Sequence, residues 1–146
     1  MNHMIALLWS LGFAFMGLQT PAHTSNDLLK LLIKNTSSVG GSIVVVAYAE
    51  EAHFLTEKGK VLKGQQQMAN DTLEFVVEQL DPGTYALVVF EDLNENGLLD
   101  RNKLGIPQEP FGFSKAKMGL FGPPSFEKAS FAFPQENGIE VQLKSL

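Results

Sequence analysis

The run Gly41 to Glu50, GSIVVVAYAE, places the tightest limit on the fold. Its β-branched residues are contiguous, and branching at Cβ costs rotamer freedom in a helix while it suits a pleated strand. Successive strand side chains point to opposite faces, so a run apolar at consecutive positions needs cover on both faces. The expected element is a central strand buried on both sides.

The neighbouring segments read as further short strands. Asp27 to Asn35 (DLLKLLIKN) precedes the central strand across a polar turn, Thr36 to Gly40. Asp71 to Leu80 and Thr84 to Asp92 flank Asp81-Pro82-Gly83, where proline pre-sets one turn dihedral and glycine accepts a positive one, which predicts a hairpin. Phe126 to Pro134 and Gly138 to Lys144 alternate apolar with polar residues, the period of half-exposed strands, with Asn137-Gly138 as the turn between them. Residues 51 to 70 are polar and irregular, and the expectation there is a connection holding at most one weak strand. The 13 glycines and 7 prolines suit strands joined by many turns. The predicted fold is all-β, a single antiparallel β-sandwich of about seven strands, with a small closed barrel as the alternative.

At 146 residues, with 45% hydrophobic and 18% charged residues, the chain suits one domain with its own core. The net charge of −5 argues against a nucleic-acid partner and disfavours an anionic membrane surface, since phosphate binding draws on clustered Lys and Arg. The start of the chain is set apart. Ile5 to Leu18 is an apolar run, too short to span a bilayer comfortably, and small and polar residues follow it up to Ala22. Residues 1–22 are therefore expected to be a cleaved signal peptide and residues 23–146 the sandwich domain. The sequence contains no cysteine, which excludes a lipoprotein anchor and leaves stability to the core or to a bound ion. The expected location is the bacterial periplasm or exterior, with no membrane association after cleavage.

Chemistry concentrates in Glu91-Asp92-Leu93-Asn94-Glu95-Asn96-Gly97-Leu98-Leu99-Asp100. With Asp92 as position one, side-chain oxygens fall at positions one, three, five and nine, glycine at six, and the Leu98 carbonyl at seven. A hard cation wants six to eight oxygens at about 2.3–2.6 Å, and a glycine lets a tight loop aim alternate residues inward. The predicted calcium ligands are Asp92, Asn94, Asn96, the Leu98 carbonyl and Asp100. Lys103 stands where an EF-hand has its bidentate glutamate, so Glu109 is the candidate for the missing oxygen. The competing reading is a metal-free loop held by side-chain-to-backbone bonds, which Asp and Asn make readily. Zinc is disfavoured: of three histidines, His3 and His23 lie in or beside the leader, leaving His53 and no thiolate.

Around this loop the chain resembles a known family. Asp81-Pro82-Gly83-Thr84-Tyr85-Ala86, Asp92-Leu93-Asn94-Glu95-Asn96-Gly97, Asp100, Gly105-Ile106-Pro107-Gln108-Glu109, Phe111-Gly112-Phe113-Ser114 and Pro124-Ser125-Phe126 stand in the order of the bacterial exported family called domain of unknown function 2141. That resemblance implies a secreted or periplasmic β-sandwich similar to transthyretin-like and carboxypeptidase-regulatory-like domains, and implies no activity.

For function, the expectation is a non-enzymatic structural or binding module of the envelope. An enzyme needs a nucleophile or a separated acid–base pair, and the available carboxylates, Glu91, Asp92, Asp100 and Glu109, are held ionised if they bind calcium. Transthyretin-like hydrolases carry a Tyr-Arg-Gly-Ser tail, whereas this chain ends Val141-Gln142-Leu143-Lys144-Ser145-Leu146. The alternative is a module that binds a cell-envelope glycan or peptide through Phe111, Phe113, Phe121 and Phe126, against which stands their use as core residues.

Overall fold

The computed structural model describes residues 28–35 and 40–146, so the expected leader, residues 1–22, and most of the polar turn before the central strand lie outside the described residues. Among the described residues eight strands form: β1 (Leu29–Asn35), β2 (Ser42–Tyr48), β3 (Lys60–Gln67), β4 (Thr72–Val77), β5 (Gly83–Asp92), β6 (Phe111–Phe113), β7 (Ser130–Phe133) and β8 (Ile139–Leu143). One helical turn, α1 (Phe126–Ala129), precedes β7. The all-β expectation holds, with the strands in two sheets.

The smaller sheet has the order β4-β1-β8 and the larger the order β3-β2-β5-β6, with β7 also paired to β5. β6 meets β5 at Val88–Phe90 and β7 meets it at Gly83–Ala86, in line along the edge that β2 leaves free. All pairs are antiparallel except β1 with β8, which is parallel, a departure from the purely antiparallel expectation. Alternate residues of β1, β4 and β8 turn inward (Leu29, Leu31, Ile33; Phe75, Val77; Ile139, Val141, Leu143). They meet Ile43, Val45, Leu87, Val89, Phe131 and Phe133 of the larger sheet. This is the core of a sandwich.

The unbroken burial of β2 arises on the other face of the larger sheet. There Val44, Val46, Tyr48, Val88, Phe90, Phe111 and Phe113 are roofed by connections that supply Phe54, Leu55, Leu99, Met118 and Phe126. Phe54 joins the roof edge-on to Tyr48 at 5.4 Å and to Phe126 at 5.7 Å. The polar segment 51 to 70 thus holds two short 3₁₀ turns and then all of β3, an edge strand with its partly exposed pattern.

Two expectations need correction. Asp81-Pro82-Gly83 is not a hairpin turn: β4 pairs with β1 in the smaller sheet and β5 with β2 in the larger. The chain crosses between sheets there, and the Tyr85 hydroxyl donates to the Asp81 carbonyl at 2.9 Å to hold the corner. Phe126 to Pro134 does not begin as a strand. Ser125 caps the turn Phe126–Ala129 by accepting from Lys128 N at 3.4 Å, and the strand starts only at Ser130.

Candidate metal centre

β5 carries two carboxylates into this region on opposite faces, as strand alternation demands. Glu91 shares the inward side of Leu87 and Val89 and is completely buried. It accepts from the Asn35 side chain of β1 and from Gly41 N at 3.2 Å. Asp92, also 0% exposed, points the other way, into the loop.

The loop is built around Asp92. Its Oδ1 accepts from Asn96 N at 3.1 Å and its Oδ2 from Gly97 N at 2.6 Å. Two such bonds require the chain to curl back, and it does so with Glu95 at φ 59° and Gly97 at φ 75°, the left-handed region that glycine enters without a Cβ penalty. Asn94 Oδ1 accepts from Asn96 N at 3.1 Å, and Asn96 Oδ1 accepts from Leu98 N at 2.7 Å. The two amide nitrogens then converge on Asp100, Asn94 Nδ2 at 2.6 Å and Asn96 Nδ2 at 3.0 Å. They supply as partial charge what a cation would supply in full.

Glu109 reaches the loop through strand register. Phe90 stands opposite Phe111, Glu91 N donates to the Pro110 carbonyl at 2.9 Å, and the same register carried on sets Glu109 opposite Asp92. Between them the chain makes a small excursion, closed by Gln108 N to Asp100 O at 2.8 Å and Asn102 N to Ile106 O at 2.9 Å. Glu109 is only 4% exposed. Its Oε1 accepts from Leu93 N at 2.8 Å and its Oε2 from Asp100 N at 3.0 Å, so one side chain clasps the first and last turns of the loop.

Asp92, Asn94, Asn96, Asp100 and Glu109 therefore belong to one hydrogen-bonded ring, with Leu98 joined through its N–H. Among the described residues, no three His, Cys, Asp or Glu side chains gather as a metal-holding group by themselves. Any ion here must draw on the amides and a backbone carbonyl as well, the donor mix that calcium accepts and zinc does not favour. Neither Asp92 nor Glu109 makes an ion pair among the described residues. Lys63 of β3, which carried no local signal in the sequence, donates to the Gly97 carbonyl at 2.6 Å and ties the loop to the neighbouring strand.

Of the four loop phenylalanines, Phe111 and Phe113 are buried, their rings edge-on at 5.8 Å. Phe126 is half-buried in the roof, and Phe121 is fully exposed.

Comparison with curated proteins and with solved structures gives no match. The family model described as "Uncharacterized protein conserved in bacteria (DUF2141)" matches residues 32–141. That span runs from within β1 to within β8 and takes in the whole Asp92 loop, and the chain belongs to this family of uncharacterized bacterial proteins.

Proposed function

We propose that the protein is an exported, non-enzymatic module of the bacterial envelope in which a calcium ion braces the connection between β5 and β6. We read its sandwich as transthyretin-like and carboxypeptidase-regulatory-like. The observation that carries the ion is the pair Asp92 and Glu109, two buried carboxylates gathered at one end of the β5–β6 pairing, neither of which makes an ion pair among the described residues. Two backbone N–H groups already donate to each carboxylate, and a cation would add the full opposite charge that these dipoles supply only in part. Asp92, Asn94, Asn96, the Leu98 carbonyl, Asp100 and Glu109 offer the ion oxygens, and Glu109 also clasps the loop that presents them. Glu91 lies on the far face of β5, bonded to Asn35 and Gly41, which supports a structural role for it over a catalytic partnership with Asp92.

Titration calorimetry checks the ion. One calcium per chain is the expected stoichiometry, with magnesium a poor substitute because its smaller octahedral shell retains water. Glu109→Gln is expected to weaken calcium by about 10–100-fold, the usual effect of losing a group that orients ligands. No heat of binding from the folded wild type overturns the ion site. Export rests on the apolar run Ile5 to Leu18 with its small-residue exit. Intact mass of protein recovered from the periplasm or medium is expected to lack residues 1–22, and recovery of the uncut chain from the cytoplasm would contradict that assignment.

A further inference from the structure

The most exposed apolar side chains of the described residues are adjacent: Leu120 is 98% and Phe121 104% exposed. They are the two central residues of a tight turn closed by Gly119 N to Gly122 O at 3.0 Å and Gly122 N to Gly119 O at 3.4 Å. The base of this finger is anchored where Met118 and Phe126 pack on the outer face of the larger sheet. Pro123 and Pro124 stiffen the return. A base fixed in the core with a bare Leu-Phe tip cannot bury the tip within its own fold.

The charge around the tip differs from that of the molecule. Lys115 and Lys117, both exposed, are the only charged residues from Pro110 to Phe126, in a chain of net charge −5. An apolar tip preceded in the chain by two exposed lysines matches the boundary of an anionic bilayer, where acyl chains take the tip and headgroups take the ammonium groups. Its size points the same way. An aromatic side chain buries about 150–250 Å², so the pair stays far below the roughly 1,200–2,000 Å² of a stable protein interface, whereas a bilayer needs no complementary surface.

We propose that the Leu120-Phe121 turn is a peripheral membrane anchor that inserts into an anionic lipid surface with Lys115 and Lys117 at the headgroups. This amends the expectation drawn from net charge alone, and it is independent of the calcium reading. The test places a fluorophore at the tip: in the mature chain, from which the expected leader and its Trp9 have been removed, Phe121→Trp introduces the single tryptophan. With phosphatidylethanolamine–phosphatidylglycerol vesicles the emission is expected to shift to the blue and to be quenched by bromine-labelled acyl chains. Both effects should be lost in high salt or with Lys115→Gln/Lys117→Gln. In otherwise wild-type protein, Leu120→Ser/Phe121→Ser is expected to lower vesicle partitioning about tenfold or more, with the melting temperature unchanged. Emission that ignores vesicles overturns the proposal. So does emission already blue and concentration-dependent without lipid, which means the tip docks into a second copy, and so does equal partitioning of the serine variant, which means another part of the chain binds the lipid.

Discussion

Single buried polar side chains do most of the positioning in this protein. Tyr85 closes the corner between the sheets through its hydroxyl, and Ser114 joins two elements by accepting from Leu87 N at 3.0 Å while donating to the Ala129 carbonyl. The Tyr85 phenol is raised above its ordinary value of 10.0 by burial and then by Asp81, and that of Tyr48 by burial and then by Glu57. A folded-state phenol that holds its proton more tightly than the unfolded chain contributes stability that is full below about pH 10 and is lost as pH rises beyond it. Denaturant midpoints measured at about pH 8 and about pH 11 should therefore fall on the alkaline side. Tyr85→Phe should cost about 1 kcal/mol at the lower pH, for the lost bond, and should show a shallower alkaline decline. An equally steep decline in Tyr85→Phe and the wild type would remove Tyr85 from this account.

At the scale of elements, the sandwich is closed along one side by β6 and β8. Phe111 N donates to Lys144 O at 3.1 Å, and Lys144 N to Phe111 O at 3.0 Å. Gly112 makes the approach possible: a Cβ there would stand 2.6 Å from the Gln142 carbonyl oxygen. Gly112→Ala is expected to cost about 1–3 kcal/mol or more by forcing these strands apart, measured as a lowered denaturation midpoint. It should also loosen the register that delivers Glu109. What was legible in the sequence follows the range of each signal. β2 was readable because burial on both faces leaves an uninterrupted apolar run, and β1, β5 and β8 because their patterns are local. The Asp92 loop was readable for the same reason, since Asp92, Asn96 and Gly97 lie within one turn. Sheet membership was not. Asp81-Pro82-Gly83 has the chemistry of a turn, but the positive φ falls at Gln79 (60°) and not at Gly83, and it is the distant partners β1 and β2 that make the segment a corner between sheets. β3 is legible only as the one weak strand allowed within residues 51 to 70, because an edge strand tolerates the polar run Lys63-Gly64-Gln65-Gln66-Gln67.

For the molecule as a whole, the connections that follow β2, β5 and β6 are what bury the outer face of the larger sheet, so the Asp92 loop is tied to the second apolar cluster through Leu99. An ion bound only by the native loop would then stabilise the whole fold. The gain is RT ln(1 + [L]/Kd), about 2.7 kcal/mol at a hundredfold excess of ligand over Kd. In a domain of this size that corresponds to a rise in melting temperature on the order of 5–15 °C. The most direct test is the thermal melt of the wild-type protein in chelator and in rising calcium. A rise of that order is expected, reversed by chelation and absent in Asp92→Asn and Asp100→Asn. A melting temperature that stays fixed as calcium reaches millimolar concentration would contradict it and leave the loop as a turn held by its own hydrogen bonds.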